Sequence, residues 1–461
     1  MAGLDGAWLE PTKRSAAARR LVFPAVQVGG DVWAPPFRLM AALTLRGSVS
    51  ASGAALELPL AAWTLAAGPD GGTSAAWTVD LQRAGLDRDA GADMPEPALS
   101  DDGTRLLVVS PDGQSRALFA TRGGRFTAEA RPGGIAVRCH AAGSQTIVAI
   151  GALGQADLDR TLEHLARRGL AGLARQRTGH DEQVLRGGVA LTAPDDAAAA
   201  ARFEGAKLEA DAMLVELPGM GRAPLLRAGG AGRGPGAFET RHACRTALGL
   251  LAAGLRDPAR DTLRFLARCA GGGVPAEVSL AGAVREGGPG DAGHFVHLAR
   301  RHFAWTADAS LRDELSATVA MAETLAATAQ GGGAGSRAEA KPGAEHDAGE
   351  ELRAVIEVLW GIDPDAANGA IRLRPRLPAG WNRVGLSRLR IGRTVLELRF
   401  RRRNAVTQLA LRKVMGPAIT VDCELPGVPV DAAELDGVAL GSGRARFEAT
   451  GEHELILHGP G

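Results

Sequence analysis

Along residues 351–402 the spacing of apolar side chains changes its period. Leu352, Val355, Ile356, Leu359 and Trp360 recur at i, i+3, i+4, i+7 and i+8, which places them on one stripe of a helix facing a core. Gly361 and Pro364 stop that helix. Beyond the stop, Leu396, Leu398 and Phe400 alternate with polar residues, the period of a half-buried strand. The pattern predicts a helical unit that ends here and hands over to a β-unit.

The rest of the chain divides by the same criterion. Residues 1–153 carry short apolar alternations such as ALTLRGSVS, RLLVVSPDGQSRALFATRGGRFTAEA and GIAVRCHAAGSQTIVAIGAL, broken by Gly, Asp and Pro turns. Short strands at regular spacing predict an N-terminal antiparallel β-sandwich. Helical patterning begins at Asp157, where Leu158, Leu162, Leu165 and Leu170 follow an acidic start, so a linker helix is expected within 154–194. Further helices are predicted at about 195–217, 240–255, 258–270, 291–305, 308–329 and 350–360, within a helical unit spanning 195–362. Residues 331–349, GGGAGSRAEAKPGAEHDAG, show no apolar periodicity and read as a flexible linker. From 363 to 461, runs such as VTQLALRKV, AITVDCEL and HELILH predict a small C-terminal β-domain.

Composition narrows the function classes. With 53 basic against 52 acidic residues, a formal charge of +1 leaves no electrostatic footprint for nucleic acid or an anionic membrane. The four cysteines, Cys139, Cys244, Cys269 and Cys423, form no Cys-x-x-Cys pair, so neither a zinc site nor a disulfide framework is expected. His294 and His297 stand at i and i+3, but no third ligand of matching spacing accompanies them, and no metal is assigned. The basic N-terminus lacks an apolar run of signal-peptide length, and no segment has about 18 consecutive apolar residues. The expected location is therefore cytoplasmic, with reduced thiols. No tyrosine is present and aromatics make up only 4% of the chain, so few positions can stack on a sugar ring. Nucleophile-elbow, phosphate-loop and single-strand-binding signatures are all missing.

The junction resembles the end of the helical barrel in glycogen-debranching and amylo-α-1,6-glucosidase proteins, members of the six-hairpin, glucoamylase-like glycosidases. Their last helix closes on Leu-Trp-Gly and leads to Leu-x-Pro-x-Leu-Pro-x-x-Trp. Here those positions are Leu359-Trp360-Gly361 and Leu373, Pro375, Leu377, Pro378 and Trp381. Trp360 and Trp381 also read simply as packing residues at a domain junction. The resemblance extends over roughly 155–402 and implies a multidomain α and β protein. Its parts would be an N-terminal sandwich, a partial (α/α)6 barrel and a C-terminal β-domain. Twelve helices do not fit between Asp195 and Gly361, and the linker at 331–349 stands where the middle hairpins belong. A partial barrel should expose apolar helix faces, so pairing in a homo-oligomer, low stability or a repacked helical domain is expected.

The resemblance also implies the site. In the family an aromatic, two spacers and an Arg-Asp pair open a barrel helix, and that pair hydrogen-bonds the hydroxyls of the terminal sugar; here Phe238 and Arg241 match, but His242 replaces the Asp. A carboxylate accepts from vicinal hydroxyls, whereas neutral His offers one donor and one acceptor, so the grip on sugar should weaken. Arg241 and His242 also read as a solvated helix start. Glu277, on the loop Gly273-Val274-Pro275-Ala276-Glu277, matches the family's His-Glu with Ala276 in place of His; otherwise it is a surface carboxylate. Asp291 opens the next helix, followed by His294, and reads equally as an N-cap.

Substrate-binding residues would thus be Phe238, Arg241, His242 and His294, with Glu277 and Asp291 as the catalytic pair. An inverting hydrolase needs two carboxylates about 6.5–9.5 Å apart. The family's acid loop, a Thr-Trp-Met-Asp-like segment, is absent, and Glu345, Asp347, Glu350 and Glu351 read as a solvated charge run. The implied activity is cofactor-free hydrolysis of an α-glucan oligo- or polysaccharide at branch stubs or chain ends. The alternatives are a non-catalytic carbohydrate-binding or scaffold protein that keeps the barrel shell, and a helical assembly module with no sugar ligand.

Overall fold

The computed structural model describes residues 26–28, 31–34, 37–46, 48–54, 60–67, 72–79, 96–110, 115–131, 134–217, 220–224, 237–279, 282–330, 348–404, 406–425, 432–440 and 444–458. The linker expected at 331–349 lies outside these residues as far as position 347, and the basic N-terminus lies wholly outside them.

Two six-stranded antiparallel sheets form the N-terminal part. In the first, strands run in the order 26–28, 31–34, 37–46, 73–79, 134–141 and 125–131; in the second, 48–54, 60–66, 145–153, 115–122, 105–109 and 96–99. Alternation decides their faces: Thr73–Val79 buries every other residue. Trp77, Val79, Ile135 and Val137 from the first sheet meet Trp63, Leu65, Phe119 and Ile147 from the second in one core. The Trp77 ring lies against Phe119, with centroids 5.2 Å apart.

The second sheet also buries its outer face. Ala62, Leu118, Val148 and Ile150 pack against Leu158, Leu162, Leu165 and Leu173 of the first helix, α1 (Gln155–Gly187). That helix bends at Gly169, whose φ of 65° suits glycine alone. Its far end is tied down by charge: buried Lys207 donates to the Val189 carbonyl at 2.8 Å, and Arg388 donates to Gly188 O at 2.8 Å. Cations on carbonyls at the end of a helix complement its dipole.

The helical unit comprises α2 (Ala197–Ala212), α3 (Thr240–Ala252), α4 (Arg256–Cys269), α5 (Pro289–Thr306), α6 (Ala309–Glu314), α7 (Ser316–Gln330) and α8 (Ala348–Arg353). The single helix expected over 308–329 is broken at Leu315. Asp308 caps α6 by accepting from Leu311 N at 3.0 Å, and α7 starts at Ser316. α8 runs on into a π-helical turn, Ala354–Leu359. The wider turn explains which residues of the predicted stripe are fully buried: Leu352, Ile356 and Trp360, spaced by four, while Val355 and Leu359 are partly covered.

The C-terminal part has a seven-stranded sheet and a four-stranded sheet. The seven-stranded sheet begins with Ala190–Thr192, which pairs with Arg383–Ile391. Its neighbours are Thr394–Arg403, Val406–Met415 and Glu452–His458. The predicted alternation at Leu396, Leu398 and Phe400 is buried throughout.

Helices and C-terminal sheets share one continuous core, in which Phe203, Phe265, Phe295, Trp305 and Trp360 join Leu386, Leu398 and Val421. This alters the expected consequence of a shortened barrel. Among the described residues of the helical unit, the exposed large apolar side chains reduce to Val358 on the π-helical turn and Val284 on a short strand. Among the described residues the helices pack on one another and on the sheet, leaving no broad apolar face exposed.

The junction motif has a structural job. Gly361 sits at φ 59°, and a Cβ there would lie 2.1 Å from the Arg374 carbonyl. Leu359 O accepts from Arg376 N at 2.6 Å and Gly361 O from Arg374 N at 3.1 Å. Leu-Trp-Gly and the Pro-rich turn are therefore locked by their own backbones. Trp381 donates through Nε1 to Asp196 Oδ2 at 3.2 Å, while Asp196 Oδ1 caps α2 through Ala199 N at 2.9 Å. Asp195 accepts from Arg383 N at 2.7 Å and from its guanidinium at 3.0 Å. One acidic pair thus clips the start of the helical unit to the turn that ends it.

Candidate functional site

The N-terminal ends of α3 and α5 meet beside a three-stranded sheet of Ala237–Glu239, Pro275–Ser279 and Val284–Glu286. Glu239 lies opposite Glu277 in this sheet, and Glu277 opposite Arg285. Thr240, the first residue of α3, is buried and donates to the Pro275 carbonyl, fixing the helix start against the loop that carries Glu277.

Glu277 is half-buried and accepts from Arg285 Nη2 at 2.8 Å. That carboxylate holds the Arg285 guanidinium above its ordinary value, and the charges of Asp291 and Glu239 reinforce it. Asp291 lies in the first turn of α5, where its Oδ2 accepts from the N–H of the N-cap residue Gly288 at 3.0 Å. Asp291 thus serves the helix start from its third position, with Gly288 as the N-cap, and its negative charge adds to burial in pushing the Cys244 thiol up.

His294 follows one turn later on the same face of α5. Burial first, then the charges of Arg241 and Arg245, push it below the ordinary imidazole value, with Asp291 opposing. Arg241 is exposed at the start of α3, with its guanidinium beside Gly290. His242 is half-buried, with Nε2 3.5 Å from Thr246 Oγ1. Arg241, His294, Asp291, Arg285 and Glu277 thus belong to one neighbourhood.

Phe238 does not. The sequence pattern placed it on the sugar, yet it is fully buried, with its ring 4.9 Å from that of Phe265. Its strand, Ala237–Glu239, buries both Ala237 and Phe238 and leaves Glu239 half-buried. A ring in that position cannot stack on a ligand. Sequence reasoning in turn missed Glu239, Arg245 and Arg285. Cross-strand pairing brings Glu239 and Arg285 to Glu277, and neither partner is marked by a motif in the sequence.

Among the described residues, no group of three or more His, Cys, Asp and Glu could hold a metal ion. No helix of the described residues is long and apolar enough to cross a membrane. Chemically, the neighbourhood offers guanidinium donors, carboxylate acceptors and a neutral imidazole on a solvent-facing ledge. That set can hydrogen-bond vicinal hydroxyls of a neutral ligand.

No family model matches this chain, and no curated protein does. Solved structures do. A putative kojibiose phosphorylase from the human microbiome superposes over 91% of this chain and 83% of its own, at 7% identity and a TM-score of 0.50. The two chains share an overall fold. At that identity the likeness extends to architecture, a helical barrel type accompanied by a β-sandwich, and not to the site. An α-L-rhamnosidase from Streptomyces avermitilis, complexed with L-rhamnose, aligns over 87% of this chain and 54% of its own, at 11% identity and a TM-score of 0.25.

Proposed function

We propose that this chain is a glycoside-hydrolase-like protein directed at α-glucans, of the amylo-α-1,6-glucosidase type, which grips a terminal sugar at the α3 and α5 helix starts. The observation that carries the reading is the gathering of Arg241, Glu277, Asp291 and His294 at one ledge on a glycosidase-like fold. In this reading Arg241 donates to sugar hydroxyls, Glu277 accepts from them, and Asp291 orients the helix start. The near-zero net charge suits a neutral partner.

A specific observation favours binding without turnover. Each candidate carboxylate already has a partner, Arg285 for Glu277 and Gly288 N for Asp291. Inverting hydrolysis needs one carboxylic acid to protonate the leaving oxygen and one carboxylate to activate water. A side chain committed to a guanidinium is poorly suited to carrying that proton. The second reading is therefore a carbohydrate-binding protein that retains the barrel shell.

Isothermal titration with maltoheptaose and with a branched limit dextrin, followed by a glucose-release assay, separates the two. Heat with glucose release supports the hydrolase, and heat without release supports the binding protein. Absence of heat with both ligands rejects the α-glucan assignment.

A further inference from the structure

A half-open hollow of about 330 Å³ lies on the outward face of the seven-stranded sheet and shares no residue with the ledge described above. That volume is within the range of small-molecule sites. Its lining comes from Thr192 and Pro194 and from the neighbouring strands Arg383–Ile391 and Thr394–Arg403. Register explains the hollow. Thr192 pairs with Gly385 and Gly385 with Arg399, so the middle position of that row carries no side chain. The Arg399 stem runs beside the gap, since a Cβ on Gly385 would stand 3.9 Å from Arg399 Cγ.

The next row places Arg383 directly opposite Arg401. Like charges facing each other across a strand pair destabilise a sheet, and an anion between them relieves the repulsion. Asp195 answers the first of the two, holding the Arg383 guanidinium at 3.0 Å. Arg401 is exposed and, among the described residues, belongs to no ion pair. Glu397 is the carboxylate of the lining; Arg412 holds it at 2.7 Å, and Arg399 stands 3.7 Å from it. Thr192 and Ser387 add hydroxyls. Arg399 and Arg401 are two residues apart on one strand and share a face, so their Cα atoms are about 7 Å apart, a span that two long side chains can close around one group. Guanidinium and hydroxyl donors around a gap whose carboxylate is already paired match an anion with several oxygens.

The positive patch is also small. Across the same face Arg399 is followed by Ala410 and Glu454, and Glu397 by Arg412 and Glu452, so carboxylates bound it on one side while Asp195 bounds it on the other. A nucleic acid or a membrane surface would meet those carboxylates, whereas one compact anion fits between them.

We propose that this hollow binds a small organic phosphate, a monoester whose head is held by Arg399, Arg401 and the Thr192 and Ser387 hydroxyls while its body lies against Pro194 over Gly385. Such a head carries about two negative charges near neutral pH, matching the two guanidiniums. The proposal uses no residue of the α-glucan reading and does not depend on it.

Isothermal titration of the full chain at neutral pH and low salt, with phenyl phosphate, inorganic phosphate and phenyl sulfate, tests it. Phenyl phosphate should bind at one site, more tightly than inorganic phosphate, which lacks the body, and more tightly than phenyl sulfate, which has one charge fewer. The double variant Arg399→Gln with Arg401→Gln should lose at least about tenfold in affinity for phenyl phosphate, the loss of charge-assisted hydrogen bonds, with an unchanged unfolding midpoint because both side chains are exposed. Arg403→Gln removes an equally exposed charge from the same strand outside the lining and should leave the affinity within about twofold, as expected for a screened surface charge. No saturable binding of phenyl phosphate, equal affinity for inorganic phosphate or phenyl sulfate, an unaffected double variant, or an equal loss in Arg403→Gln would each overturn the proposal. The comparison of the three anions needs no variant, so a double variant that fails to fold leaves the question answerable.

Discussion

Replacing Gly249 by Ala probes whether the closing helix still packs against the wall of the site. Gly249 lies in the middle of α3, and a Cβ added there would stand 2.3 Å from the Gly349 carbonyl oxygen and 2.4 Å from the Gly349 Cα on α8. Ordinary carbon contacts lie at about 3.5–4.0 Å, so the two helices would have to separate by more than ~1 Å. Both sides of the contact are backbone, and no rotamer change relieves it. Alanine's better helix propensity contributes about 1 kcal/mol in its favour. Forced overpacking typically costs about 1–3 kcal/mol and more where the backbone must move. The net expectation is destabilisation by about 2 kcal/mol. The internal control is Gly205, in the exposed middle of α2 with open space where a Cβ would stand. There the same substitution should stabilise by about 0.5–1 kcal/mol. Urea unfolding followed by tryptophan fluorescence reads both, since Trp305 and Trp360 lie in the shared core. If Gly249→Ala matched Gly205→Ala in sign, α3 and α8 would not be in contact and the repacked helical unit would be wrong.

Other outcomes follow from the same geometry. His302 should make the fold acid-labile. Its folded value is depressed from 6.5 to about 4, so the unfolded chain binds the proton more readily; its contribution is complete above about pH 6.5 and lost as pH falls towards 4. At about 1.4 kcal/mol per unit that is about 3 kcal/mol, measurable as a falling urea midpoint between pH 7 and 4 that His302→Leu should flatten. Asp195 is held below the usual carboxylate range first by the Arg383 guanidinium, and Asp196 first by the Ala199 N–H. Their contributions are present above about pH 4 and disappear on further acidification. A double-mutant cycle of Asp196→Asn with Trp381→Phe should be non-additive, and strict additivity would mean that the clip between α2 and the Pro-rich turn is not formed. Arg241→Ala should weaken maltoheptaose binding about tenfold, the loss of one or two charge-assisted hydrogen bonds, with the unfolding midpoint unchanged because the side chain is exposed.

What the sequence made legible was the local part of the fold. The stripe ending at Trp360 and the alternation through Phe400 are buried as periodicity requires, because each reports one element facing one core. The period itself shifted to four at Leu352, Ile356 and Trp360, since a π-helical turn is set by tertiary packing and has no simple pattern. The strand Ala190–Thr192 was invisible: three residues carry no period, and their partner, Arg383–Ile391, lies nearly two hundred residues further on. In the candidate site, Arg241, Glu277, Asp291 and His294 were singled out by family spacing, and the fold brings them into one neighbourhood. Phe238 was misplaced, because spacing along a strand does not reveal which face a residue takes. Glu239 and Arg285 were missed because only cross-strand pairing brings them to Glu277.

The location of the sugar site is the central claim, and hydrogen–deuterium exchange tests it directly. Adding maltoheptaose should slow exchange in peptides covering 237–245, 275–286 and 289–297, and leave the sandwich strands at 115–153 unchanged. Protection confined to the sandwich or the C-terminal sheets, or none at saturating ligand, would contradict it.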